Sequence, residues 1–275
     1  MKPAPFDYIR AETLAEAHAV LAAENGEARI LAGGQSLMPM LSMRLARPKA
    51  VVDIMRLPGV GELAVRDGAI RVGATVRQAE LLNWLQLASQ QPLLAAVLPW
   101  IGHAQTRSRG TVCGSIAHAD PSAELPLALV ALDGSIELSS KRRRRTIAAT
   151  DFFTGLMTTA RRDDELIEAV RFPCRRPGHG YAFREFGRRH GDFAIVACAA
   201  IVHEQGLRFA VGGVADQPVA RNYGGLDDKA LSEALEALAW ELDARDDMHA
   251  TARFRRDLVR RMGRLTIEEA RRCRA

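Results

Sequence analysis

The sequence predicts an α+β chain in three stretches: a short αβ unit, a mixed α+β region, and a sheet followed by helices. Three observations predict it. Near the N-terminus a buried strand, a double glycine and a short helix stand in series. Apolar helical runs then alternate with short strands as far as residue 171. Past a stretch rich in proline, glycine and arginine at 171–180, three strand patterns are followed by two helical ones, the order expected of an antiparallel sheet with helices packed on it.

Each element has a local reason. Thr13 and Glu16 form a capping-box pattern ahead of Leu14, Ala17, Val20 and Leu21, which share one helix face. Gly26 is a stop signal, and Ala28–Leu31 reads as a buried strand broken by Gly33 and Gly34. Ser36 can cap a short helix through Met43, and Ala50–Ile54 is a second buried strand. Asp67-Gly68 is a hairpin turn between 63–65 and 69–72. Residues 76–84 and 92–98 read as helices, 103–115 as a polar loop, and 124–132 as an apolar helix. Strands are expected at 134–138, 145–149 and 164–171, and a domain boundary near 176. Strands follow at 181–186, 195–202 and 207–211, with a turn at Gln205-Gly206, then helices at 226–242 and 250–273.

Composition narrows the function. A chain of 275 residues, 48% hydrophobic and 26% charged, is long enough for two domains and a sizeable core. Aromatic residues are 5%, too few for a surface that stacks single-stranded nucleic acid. No stretch of about 20 apolar residues is present, so no membrane span is expected. The first residues, MKPAPFDYIRAE, lack the apolar core of a secretory signal, so a cytoplasmic location is expected. Cys113, Cys174, Cys198 and Cys273 form no C-x-x-C, so no metal or iron–sulfur site is expected within this chain. The net charge is +5, and Lys141–Arg145 read as a solvated hairpin tip rather than a nucleic-acid stripe.

Two segments carry chemistry. In Ala32-Gly33-Gly34-Gln35-Ser36-Leu37, successive N–H groups after a strand can cradle a diphosphate. In residues 109–121, RGTVCGSIAHADP, small residues let a planar ligand lie against backbone, while hydroxyls and a carboxylate can bind sugar or phosphate oxygens. The alternative for the second segment is a plain loop, with Asp120 or Ser122 capping the next helix. Gly59-Val60-Gly61-Glu62-Leu63-Ala64 matches a dinucleotide pattern but leads into a hairpin, not a helix. His118 and Asp120 lack companions for a zinc site, and no nucleophile triad is legible.

AGGQSLMP at 32–39, IGHAQTRSRGTVCGSIAHADPSAELP at 101–126 and FREFGRRHGDFAIV at 183–196 occur in that order. Together they resemble the FAD-binding medium subunit of the molybdenum hydroxylases, the family of aerobic carbon monoxide dehydrogenase and the xanthine dehydrogenase flavin domain. The resemblance covers nearly the whole chain. It implies an FAD-binding domain of the vanillyl-alcohol-oxidase type over residues 1–176, in two α/β subdomains of about 1–55 and 56–176, and a C-terminal antiparallel sheet-and-helix domain over 177–275.

The resemblance also implies roles. FAD is expected to bind noncovalently. Ala32, Gly33, Gly34, Gln35, Ser36 and Leu37 match a first diphosphate loop, where the family often has His at the position of Gln35. Thr111, Gly114 and Ser115 match a second loop; Cys113 and Ser115 depart from the usual Gly-Gly-Asn. His118, Asp120 and Glu124 fall in the same cofactor-binding motif, and Ile101 and Ile167 on apolar positions beside the cofactor. Glu185 falls where some relatives have Lys, which reverses a charge. Asp192 follows in the family's conventional GDFA segment, expected to be a structural turn, and Cys113 is expected to be a packing residue. No catalytic acid or base and no metal ligand is expected from this chain. The expected partners are a large subunit with the molybdenum cofactor and a small subunit with two [2Fe–2S] clusters, in a dimer of heterotrimers. Electrons would pass through FAD to NAD⁺, a quinone or oxygen. The alternatives are a stand-alone flavin oxidoreductase of the same fold and a nonenzymatic anion-binding module.

Overall fold

A computed structural model describes residues 2–274. The first unit contains β1 (Asp7–Arg10), α1 (Leu14–Ala23), β2 (Ala28–Leu31), α2 (Leu37–Ser42) and β3 (Ala50–Asp53). Its strands form a parallel sheet in the order β1-β3-β2. Thr13 caps α1 by accepting from the Glu16 N–H at 3.1 Å, while Glu16 accepts from the N–H of Glu12 rather than Thr13. Ala17 and Leu21 of α1 pack with Ala28, Val52 and Ile54, so the helix covers one sheet face. β1 had no sequence signal. It is a polar, mostly exposed edge strand, and the open edge of β3 specifies it more than its own residues do.

The second unit is larger. Its strands are β4 (Leu63–Arg66), β5 (Ala69–Gly73), β6 (Ser135–Ser139), β7 (Arg144–Ala148) and, after a small hairpin of β8 (Phe153–Gly155) and β9 (Thr158–Thr159), β10 (Leu166–Pro173). They form an antiparallel sheet in the order β4-β5-β10-β6-β7. Between β5 and β6 run α3 (Gln78–Leu82), α4 (Leu87–Gln90), α5 (Pro92–Val97), α6 (Ala104–Arg109), α7 (Val112–His118) and α8 (Glu124–Ala131); α9 (Ala149–Phe152) precedes β8. The helix expected at 76–84 shrinks to α3 because Val76 and Gln78 bond the second motif: Val112 donates to the Val76 carbonyl at 3.0 Å and Gln78 to that of Gly110 at 2.8 Å. The stretch expected as a polar loop at 103–115 is instead α6 and the start of α7. Thr111 caps α7 by accepting from the Gly114 N–H at 3.1 Å, and this cap turns a small-residue segment helical. The alternative cap is also corrected: Asp120 accepts from the N–H of Ser122, and the residue before α8 is Ala123.

The chain leaves β10 at Pro173 and enters the third unit at Gly180. β11 (Gly180–Phe186), β12 (Val196–His203), β13 (Gly206–Gly212) and β14 (Val219–Gly224) form an antiparallel meander, followed by α10 (Asp228–Glu241) and α11 (Ala252–Arg272). β14 was not expected; it too is an exposed edge strand. Side chains of β12 alternate between two cores. Val196, Cys198 and Ala200 pack with Leu235, Leu238, Val259 and Ile267 of the two helices. Ala197 and Ala199 face the core that contains α8. All eight residues of α8 are buried, as a helix apolar on every side must be. Arg208 of β13 closes its C-terminus, donating to the carbonyls of Val130 and Ala131 at 2.9 Å each.

Arg255 of α11 is only 6% exposed. It donates to the carbonyls of Ile195 and Gly213 at 2.7 Å each and pairs with Asp247 at 2.5 Å. Arg255→Met is expected to cost about 2–4 kcal/mol in a denaturant melt, because two buried carbonyls lose their donor. A loss within experimental error would show that water replaces the guanidinium.

Candidate functional site

The three units meet around one cleft of about 700 Å³. Its first wall is the turn between β2 and α2. Gly34 has φ +72°, a conformation that glycine takes freely. Among the described residues, the backbone N–H groups of Gly33, Gly34, Gln35 and Ser36 have no acceptor within the protein. The Ser36 hydroxyl makes no capping bond either, and the Gln35 amide folds back to donate to the Gly33 carbonyl at 3.1 Å. The turn therefore offers a row of donors to the cleft. Gly33 is set by a close approach: a Cβ there would stand 2.2 Å from the Arg109 carbonyl oxygen and 2.6 Å from the Gly110 Cα.

The second wall runs from Ile101 through α7 to the start of α8. Thr111, Gly114, Ser115, His118, Asp120 and Glu124 all line the cleft, as do Ile101 and, from β10, Ile167. Ala32, Gly33, Gly34, Gln35, Ser36 and Leu37 line it from the first wall. So the structure brings together every expected site residue except Glu185. That residue sits on β11 opposite Ala197 and is not among the lining residues. Its Oε2 is buried without a hydrogen-bond partner.

Sequence reasoning missed several lining residues. Gln78 is 5% exposed, and its Oε1 is buried without a partner. Arg29, Arg161 and Asp163 line the cleft beside the three-stranded sheet, from segments with no recognisable motif. Arg161 is half-buried, donating to the carbonyls of Arg162 and Glu165, and desolvation lowers its pKa. Gly191, Asp192 and Phe193 close the cleft from the third unit, so the GDFA turn belongs to the lining. That loop is held by stacking of His190 on Trp100, ring centroids 4.8 Å apart. The glycine inside a charged turn was the available signal for it.

Electrostatics divides the cleft. Arg29 and Arg161 line it beside the first unit, Glu124 and His118 line it from the second, and Glu185 lies on β11 of the third, outside the lining. Glu124 is 6% exposed, with a pKa pushed up to about 7 by burial; the charge of Asp120 adds to this and Arg107 opposes it. Glu185 is pushed up to about 8, first by burial and then by the charge of Glu124. Burial lowers the His118 pKa, against the pull of Asp120, which favours the neutral imidazole. Cys113 lies in the first turn of α7 with its thiol against the Val72 carbonyl, and burial pushes its pKa up to about 12, as befits a packing residue. Among the described residues no group of three or more His, Cys, Asp or Glu is arranged to hold a metal ion, and no helix is long and apolar enough to cross a membrane.

Comparison with known proteins gives two family matches. Residues 4–175 match the family described as FAD binding domain in molybdopterin dehydrogenase, and residues 181–270 the CO dehydrogenase flavoprotein C-terminal domain. The chain is 38% identical to the 6-hydroxypseudooxynicotine dehydrogenase complex subunit alpha of Paenarthrobacter nicotinovorans, over 98% of this chain and 96% of that one. It is 39% identical to the nicotine 6-hydroxylase medium subunit of the same organism, over 89% and 90%. Among solved structures, a chain of carbon monoxide dehydrogenase from Hydrogenophaga pseudoflava superposes with a TM-score of 0.95 at 28% identity, with all of both chains covered.

The two raised carboxyl pKa values give the fold a pH signature. An unfolded glutamate titrates near 4.5, whereas Glu124 and Glu185 hold their protons to about 7 and 8. Their contribution is fully present below pH 4.5 and is lost as pH rises through the folded values, because the native state binds more protons. Glu185→Gln is expected to raise the melting temperature at pH 8 by about 2–4 °C, the shift for roughly 1 kcal/mol in a chain of this size. An unchanged or lower value at that pH would contradict the burial of an uncompensated carboxyl. In a separate check, iodoacetamide at pH 8 should label exposed Cys273 in the native protein and leave Cys113 and Cys198 untouched.

Proposed function

Because this chain belongs to the family of FAD-binding medium subunits of molybdenum hydroxylases, we propose that its cleft binds FAD noncovalently and that the chain works as the electron-transfer subunit of such a complex. The observation that carries this reading is the row of unpaired N–H groups at Gly33–Ser36 facing the cleft. The residues present fit the cofactor. The volume lies in the roughly 300–1,000 Å³ range of ligand sites, and the orphaned Gln78 Oε1 needs a donor from inside the cleft.

Bound there, FAD would supply the redox chemistry, exchanging electrons singly or in pairs. The protein's part is binding, orientation and shielding. The N–H groups of Gly33–Ser36 donate to the diphosphate, and Arg29 and Arg161 add positive charge on that side. The hydroxyls of Thr111 and Ser115 and the carboxyl of Asp120 are placed for sugar and ribityl hydroxyls. Ile101, Ile167 and Leu37 supply apolar wall for the ring system, and Gly191–Phe193 limit access of water from the third unit. No side chain of this chain acts as acid, base or nucleophile in this scheme. Electrons would arrive from a small iron–sulfur subunit, reduced by a large molybdenum subunit that oxidises the substrate, and leave to NAD⁺, a quinone or oxygen. The full assembly would be a dimer of heterotrimers.

The test is a visible spectrum of the purified chain after FAD is added and the excess removed. A retained flavin band that acid releases is the expected result. Gly34→Val should keep the fold yet weaken FAD binding at least tenfold, about 1.4 kcal/mol, since the new side chain meets Met38 and Leu31 and does not tolerate φ +72°. Unchanged affinity in the folded variant would refute the assignment of the first loop.

A further inference from the structure

The most unusual chemistry outside the donor turn is a pair of buried carboxyls from two different units. Glu124 opens α8 in the second unit, and Glu185 lies on β11 in the third. Glu124 is 94% buried by its 6% exposure, lines the cleft, and its carboxyl makes no hydrogen bond to another residue among the described residues. Glu185 has a buried, unpartnered Oε2, and the charge of Glu124 reaches it. No cation neutralises them directly. Arg184, the neighbour of Glu185 on β11, pairs with Glu269 at 2.8 Å. Arg107 is engaged with the carbonyls of Ile101 and Gly102 at 2.8 and 3.0 Å. The other titratable groups around the pair are Asp120 and His118 from the second unit and Asp192 with Arg188 from the loop of the third.

Two carboxyls in this setting cannot both ionise cheaply. Water reaches Glu124 only through the cleft, and a ligand that covers the cleft removes that water. We propose that occupation of the cleft by FAD is linked to the protons of Glu124 and Glu185: the cofactor binds while the two carboxyls are protonated and binds weakly once both are ionised. This rests on the FAD reading given above. The sign follows from charge. The two carboxyls pass from neutral to two negative charges as pH rises, while the incoming diphosphate is itself anionic. Covering Glu124 also favours its neutral form. The titrations, about 7 for Glu124 and about 8 for Glu185, place the change between neutral and mildly alkaline pH.

The experiment is an FAD titration of the full chain, followed by flavin fluorescence, from about pH 6 to pH 9. The dissociation constant is expected to be flat at the acidic end and to rise above pH 7, by up to tenfold per pH unit for each linked proton. Glu185→Gln removes one of the two carboxyls and should make the rise shallower, binding FAD at least threefold more tightly than the parent at pH 9. Glu185→Met, similar in length and uncharged, serves in its place if the glutamine variant does not fold. Infrared spectra of the same samples supply a second readout: a protonated-carboxyl band present at pH 6, lost by pH 9 and weaker in the variant, which keeps Glu124. FAD binding that varies less than twofold over this range, or an equal slope in the folded variant, overturns the proposal. Absence of FAD binding at every pH overturns the functional reading, and the linkage with it.

Discussion

Gly33 and the Arg109–Gly110 peptide touch backbone to backbone, with no space between them for even a methyl group. The first and second units are joined there at the edge of the cleft. The donor turn that follows β2 is held at a fixed distance from the Thr111-capped helix, and so the two motifs, almost 80 residues apart in sequence, can face a single ligand. Other ties secure the same seam. His18 of α1 is buried against the Ser139 hydroxyl of β6 at 2.9 Å, and the apolar core of the first unit extends to Val60, Ala74 and Leu166 of the second. A rigid seam keeps donors preorganised, so little ordering is left for the ligand to impose.

The third unit is attached by a different principle. Its sheet is covered on both faces, by α10 and α11 on one and by α8 on the other, and the small residues of β12 let α8 lie close. Arg208 then closes the end of α8 from the neighbouring strand. The consequence for the cleft is direct. The start of α8 carries Glu124, so the packing that docks the third unit also fixes the position of a cleft carboxyl and brings Glu185 within reach of its charge.

Much of this was legible in the sequence, for identifiable reasons. The donor turn announces itself through consecutive glycines after an apolar strand, and the α8 segment through an apolar run longer than a strand. Elements that depend on partners were not legible. β1 and β14 are edge strands with exposed, polar residues, and their pairing is supplied by the strand next to them. α6 and α7 hid in a segment of small and polar residues, where a single threonine cap and an inter-segment bridge decide the conformation. Arg161 and Asp163 reach the cleft only because the segment after β9 lies against the first unit, where Asp163 stands beside Gly26, a long-range fact with no local trace. Glu185 carried a local trace, an acid on a strand, but its nearness to Glu124 belongs to the packing.

The burial of α8 on all sides also says how this segment can change over generations. One inserted or deleted residue would turn its far half by about 100°, exchanging the side chains shown to the C-terminal sheet for those shown to α5 and α7. No local repair could accommodate both neighbours at once. Substitutions that conserve volume are tolerable there, whereas changes in length are not. The stretch from Glu124 to Ala131 should therefore act as a ruler in evolution, holding its number of residues.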